Sequence, residues 1–192
     1  MSNALTEGED SLTAARAVRL LGRLTRRDVV RHEEVFVMKI LLATDGSAFG
    51  EEAVREVARR PWPTGTEVRV AYVIETTTQP AAEMWAGSYE DYFGELKQWK
   101  HAQGRQALET ATRILDARVD RSLRVTAEML EGQPKRRIPE EAESWGADLI
   151  VLGSHGYGFW DRLLLGSVSQ AVASHAPCSV EIVRRRESAE GG

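Results

Sequence analysis

Between Met38 and Val183, short apolar runs alternate with stretches of helical periodicity, and this alternation restricts the fold more than any other feature of the chain. Lys39-Ile40-Leu41-Leu42-Ala43-Thr44 is apolar at successive positions, as a strand buried on both faces requires, and it stops at the turn sequence Asp45-Gly46-Ser47. Ser47 is placed to cap a helix with Glu51 and Glu52 in its first turn and Ala53, Val54, Val57 and Ala58 on one face; Pro61 and Pro63 end it. Val68 to Ile74 is a second β-rich run, and Leu123, Val125, Ala127 and Met129 alternate in a third. Between them a long helical pattern runs from about Tyr89 to Arg118. Trp85, Tyr89, Tyr92, Phe93, Leu96 and Trp99 recur there at three- and four-residue intervals and read as a core stripe.

Ile138, Ala142 and Trp145 mark a shorter helix. Its expected start is near Ile138, because Pro139 lacks an N–H donor and clashes with a preceding turn. Asp148-Leu149-Ile150-Val151-Leu152 is a fourth strand, Ser167 to His175 a fourth helix closed by Pro177, and Ser179 to Val183 a fifth strand. Strictly alternating elements predict an α/β fold, a parallel sheet with helices on both faces. In such a sheet ligands bind beyond the carboxyl ends of the strands, where strand order reverses, so the loops there carry the function.

Composition narrows the classes of partner. The chain has 192 residues, is 42% hydrophobic and 28% charged, and carries a net charge of −4, which fits a globular domain and argues against a nucleic-acid partner. No apolar run approaches the roughly 20 residues of a membrane span. The start, with Ser2, Asn3, Glu7, Glu9 and Asp10, is unlike a secretory signal, and the lone Cys178 cannot form an internal disulfide, so the expected location is cytoplasmic.

Residues 1–37 read as an N-terminal extension. Arg16, Arg19, Arg23, Arg26 and Arg27 recur opposite Val18, Leu20, Leu21 and Leu24, an amphipathic helix pattern from about residue 11 to 31. Six arginines are balanced by six acidic residues in this segment, and a partly helical, solvated arm is expected rather than a partner- or membrane-surface helix. Residues 38–183 form the domain proper, and 184–192 a polar tail.

Two loops follow strands and have chemical content. The first is Ala43-Thr44-Asp45-Gly46-Ser47. The second is Gly153-Ser154-His155-Gly156-Tyr157-Gly158, continuing through Phe159-Trp160-Asp161-Arg162 to Gly166-Ser167-Val168-Ser169. Its glycines permit positive φ and close approach of a ligand to the backbone, and Gly166-Ser167 opens a helix whose first N–H groups are free for phosphate. There is no G-x-x-x-x-G-K-[ST], and Gly156-Tyr157-Gly158 lacks the third glycine of a dinucleotide fingerprint.

Gly153, two residues, Gly156, nine residues, then Gly166-Ser167 resembles the G-2x-G-9x-G-[ST] signature of the ATP-binding branch of the universal stress protein family. The resemblance extends from Met38 to about Val183. It includes the Met38-to-Ser47 opening, the Gly132, Ile138 and Ala142 spacing, Asp148-to-Gly156, and the His175-Ala176-Pro177-Cys178 close. It implies a Rossmann-like fold of five parallel strands in the order 3-2-1-4-5, with the two loops side by side. It further implies that Ala43, Thr44, Asp45 and Val73 hold the adenine and ribose side, and that Leu152, Gly153, Gly156, Gly166, Ser167, Val168 and Ser169 wrap ribose and phosphates. Asp45 would accept from the exocyclic amine of adenine, the Ser167 and Ser169 hydroxyls would donate to phosphate, and Mg²⁺ accompanying the ATP would supply the charge that a missing lysine does not. A homodimer through the fifth strand is also implied, although Ser179-Val180 replaces the family's Pro-Val.

Other constellations are bland. His32, His101, His155 and His175 make no ligand pair with one another or with Cys178, so no metal site of protein side chains is expected. His155 stands apart because it lies inside the glycine loop. Neither Ser47 nor Ser167 sits in a G-x-S-x-G elbow, and Cys178 reads as inert. The function expected is an adenine-nucleotide-binding regulatory switch acting on an unidentified protein partner. The alternatives are a slow ATP hydrolase, with Asp45 or Asp161 placing magnesium or water, and a nucleotide-independent dimeric scaffold.

Overall fold

The computed structural model describes residues 37–76, 89–118, 122–156 and 165–184, with residues 89–93 as backbone only. The chain divides into two units at Phe36 and Val37, and the second, Val37–Gly192, holds all the described residues. The amphipathic pattern of residues 11–31, Trp85, residues 157–164 with Asp161, and the tail beyond Arg184 lie outside them.

Five strands, β1 (Lys39–Ala43), β2 (Glu67–Glu75), β3 (Arg124–Gly132), β4 (Leu149–Gly153) and β5 (Ser179–Val183), form one parallel sheet in the order β3-β2-β1-β4-β5. Four helices link them: α1 (Ala48–Arg59), α2 (Tyr89–Asp116), α3 (Pro134–Trp145) and α4 (Ser167–His175). The central strands β1 and β4 are buried at every position after the first, because helices cover both faces. Ile40, Leu42, Val68, Val70 and Val151 pack on one face with Val54 and Val57 of α1 and Leu108, Ala111 and Leu115 of α2. Leu41, Ala43, Ala71, Ile150 and Leu152 pack on the other with Ile138 and Ala142 of α3 and Val172 of α4. One residue's shift of register along β1 would exchange these two sets, so the two cores fix the pairing Ile40↔Leu149 to Ala43↔Leu152.

Strand order reverses between β1 and β4, which open their carboxyl ends side by side. β2 and β3 run on past them: β1 last pairs with β2 at Ala43↔Ala71, whereas β2 and β3 stay paired to Glu75↔Gly132. This overhang places Val73, half-buried opposite Leu130, along one wall of the crevice beyond β1.

Two expectations fail in instructive ways. α3 starts at Pro134, four residues before Ile138, with Arg137 N–H already bonded to Gln133 O at 2.9 Å. Pro134 fills the first turn, where no N–H partner exists anyway, and Pro139 sits only one turn further in, so the helix loses a single bond while Pro139 is buried. The aromatic stripe also fails as core at Trp99, which is 54% exposed. The buried face of α2 runs through Gly104, Leu108, Ala111 and Leu115, and Trp99 lies about 140° around the helix from Gly104. Gly104 is required there, because a Cβ would lie 2.9 Å from the Tyr72 ring and 3.0 Å from Met129.

Candidate functional site

The crevice is built from two connections. The first, after β1, is held by its own short-range hydrogen bonds. Gly46 takes φ 78°, its N–H donates to Thr44 Oγ1 at 3.2 Å, Ser47 N–H donates to Asp45 Oδ1 at 2.9 Å, and Gly50 N–H donates to Ser47 Oγ at 3.2 Å. Ser47 is therefore the cap of α1, as its position before the Glu51 turn predicts. Asp45 is fixed through one carboxylate oxygen, which leaves Oδ2 facing away from the turn.

The second connection leaves β4 at Gly153 and returns at Gly166. Its glycines serve proximity rather than positive φ: Gly166 has φ −60°, and the positive-φ glycines among the described residues are Gly46, Gly65, Gly132 and Gly146. A Cβ on Gly153 would lie 2.7 Å from the backbone carbonyl of Phe49, one on Gly156 would lie 2.6 Å from Asp45 Oδ2, and one on Gly166 would lie 3.1 Å from Ser154 O. The contact between Gly156 and Asp45 joins the two connections directly. Gly50, which sequence reasoning passed over, belongs to the same close packing, since a Cβ there would lie 2.7 Å from Thr44 Oγ1 and 2.9 Å from Asp45 Oδ1. Its signal was a glycine in the first turn of a helix, where it weakens the helix and therefore marks a steric need.

The loop ends are pinned by Gly166 N–H donating to Ser154 O at 2.8 Å and Ser154 N–H donating to Val183 O at 2.8 Å. The buried Ser169 hydroxyl donates to Gly153 O at 2.8 Å, with Ser154 O at 3.3 Å, so its proton is committed to the backbone. The hydroxyl ties α4 to the end of β4. Ser167 is exposed at the start of α4 and Val168 half-buried. α4 has Gly166 as its N-cap without any side-chain bond, and Gln170 N–H is bonded to Gly166 O at 3.0 Å, so the N–H groups of Ser167, Val168 and Ser169 precede the first full helical turn of bonds. Leu152 and Ala43 are paired in register and buried beneath them.

His155 is held within the protein, with Nδ1 3.1 Å from Ser154 Oγ and its ring 5.3 Å from that of Phe49. A cavity of about 130 Å³ lies between the Thr44–Gly46 turn and α2, walled by Gln103, Gln106 and Thr110; no described residue of the glycine connection lines it. Among the described residues no cluster of three His, Cys, Asp or Glu side chains is arranged to hold a metal. Burial pushes the Cys178 thiol above its ordinary pKa, with the Asp148 charge adding to the effect, so it stays protonated and unreactive near neutrality.

Residues 37–184 match the Universal stress protein family. The chain belongs to that family. A universal stress protein of Methanocaldococcus jannaschii is 33% identical over 158 residues, which is 82% of this chain and 88% of that protein. Among solved structures, the protein MJ0577, whose biochemical function was assigned from its structure, is 30% identical with a TM-score of 0.62, over 79% of this chain and 98% of its own. UspA of Lactobacillus plantarum is 25% identical with a TM-score of 0.62, over 77% and 97%. The five-stranded order of the sheet is that of these universal stress proteins. Residues 1–36 lie outside the matched region. Among the described residues no helix is long and apolar enough to cross a membrane.

Proposed function

We propose that this universal stress protein binds an adenine nucleotide, ATP with Mg²⁺ in the first instance, in the crevice between the Asp45 turn and the Gly153–Ser169 connection. The observation that carries this reading is the approach of Gly156 to Asp45 Oδ2, where a side chain would lie only 2.6 Å away. Two connections that touch at a strand-order reversal, beside a helix N-terminus without a side-chain cap, form a site that suits an anion with a polar head.

The residues present fit the group. N–H groups at the start of α4 and the exposed Ser167 hydroxyl are donors for phosphate oxygens, and the helix dipole favours negative charge there. Val73 and the Ala43–Thr44 edge offer an apolar and backbone surface to a base, and Asp45 Oδ2 is an acceptor for an amine. No lysine or arginine is among these residues, so the charge of a polyphosphate is met by the dipole and by the Mg²⁺ that accompanies it. In this reading occupancy changes a surface that a protein partner reads. The chain works in the cytoplasm as a homodimer through the open edge of β5, with residues 1–37 an arm apart from the 38–183 domain and 184–192 a tail.

Calorimetric titration with ATP, ADP, AMP and cyclic AMP, each with and without Mg²⁺, tests it. Saturable heat with an adenine nucleotide, and an adenylate released from the purified protein and found by mass spectrometry, are expected. No heat at millimolar ligand and no co-purified nucleotide would overturn it.

A further inference from the structure

α2 turns Leu108, Ala111 and Leu115 toward the sheet, and its outer side from Arg105 to Ala117, with Ala127 of the edge strand β3, borders a groove of about 690 Å³. Leu108, Thr112, Ala117 and Ala127 make a floor of small or apolar residues, and Arg105, Glu109, Arg113 and Asp116 stand exposed along it. Elsewhere opposite charges at helical spacing close on one another, Arg55 on Glu51 at 2.7 Å and Arg137 on Glu140 at 2.8 Å. Arg105, Glu109 and Arg113 have the same spacing, yet among the described residues none of the four makes an ion pair.

The order of signs decides the occupant. Read along α2 it is plus, minus, plus, minus; read backwards it is minus, plus, minus, plus. Two such helices laid antiparallel therefore oppose every cation to an anion, Arg105 to Asp116 and Glu109 to Arg113, and both pairs are centred within about half a residue of one level, between Glu109 and Thr112 on this face. A two-fold interface must be complementary to itself in this way. A polyanion or an anionic membrane would instead meet Glu109 and Asp116. The floor has no bulky side chain apart from the buried Leu108, which allows the axes to approach to about 8–10 Å.

We propose that this face of α2 and β3 is a contact between two copies of the chain, arranged antiparallel about an axis between Glu109 and Thr112. It lies at the opposite edge of the sheet from β5, so it is independent of the β5 dimer and of nucleotide binding, and with that dimer it extends association beyond two chains.

Sedimentation of the full chain across a concentration series tests it. Arg113→Glu should weaken one association step about tenfold or more, because it makes two like-charge contacts per interface, and Glu109→Arg with Arg113→Glu should restore it to within about threefold of the native chain. All four rim side chains are exposed, so these changes spare the fold, which circular dichroism verifies. To locate the contact, Thr112→Cys in a Cys178→Ser chain should give a covalent dimer on mild oxidation. A native chain that is monomeric throughout, a step unaltered by Arg113→Glu, or no cross-link through position 112 would overturn the proposal.

Discussion

The two connections that frame the crevice are built by opposite means. The Asp45 turn is tied by bonds between residues two or three apart, so its shape is determined locally and would survive changes in its neighbours. The Gly153–Gly166 connection owes its position to chain brought from a distance: Val183 receives the N–H of Ser154, Phe49 leaves no room beside Gly153, and Ser169 reaches back over sixteen residues to Gly153 O. Local bonding gives a rigid turn. Absence of side chains gives a strand end that can lie flat against it. Damage to the second should therefore cost the whole fold, and damage to the first only one helix end.

Gly153→Val makes the largest breach. Its Cβ would meet Phe49 and Gly50 backbone, which has no rotamer to yield, and unfolding free energy should drop by about 3 kcal/mol in urea titration. Ser169→Ala comes next: it strips the buried carbonyls of Gly153 and Ser154 of their hydroxyl donor and should cost about 2 kcal/mol. Ser47→Ala removes the cap of α1 and should cost about 1 kcal/mol, measured the same way. If Ser47→Ala proved the most damaging of the three, the division between local and long-range construction would be wrong.

The same division explains what could be read from the chain in advance. The strands, the cap at Ser47 and the span of α4 were legible because burial on both faces and capping leave marks within a few residues. The join between Gly156 and Asp45 was legible only through resemblance to a family, since more than a hundred residues separate them and neither one signals the other. Gly50 and the bond from Ser169 to Gly153 O left no mark in the sequence because the reasons for them lie in chain that folding brings alongside. Pro139 misled by a rule applied too strictly: a proline one turn into a helix forfeits one bond, and the burial of Pro139 and Ile138 outweighs it. Trp99 misled because three- and four-residue spacing is shared by several faces of a long helix, and only the packing of Gly104 on Tyr72 selects one.

The mildest change, Asp45→Asn, separates platform from recognition. Ser47 N–H requires an acceptor at Oδ1, and the amide oxygen of asparagine supplies one, so the turn persists and stability should move by no more than about 0.5 kcal/mol. With its oxygen held there, the side chain must present its NH₂ group where Oδ2 now stands beside Gly156. An acceptor becomes a donor without any change of shape. If Asp45 meets the exocyclic amine of adenine, the variant should lose affinity for ATP and gain for the 6-oxo purine of ITP, shifting their ratio by about tenfold in paired calorimetric titrations. An unchanged ratio would mean that the base does not touch this carboxylate, and that the Asp45 turn serves only to carry Gly50 and the start of α1 against the end of β4.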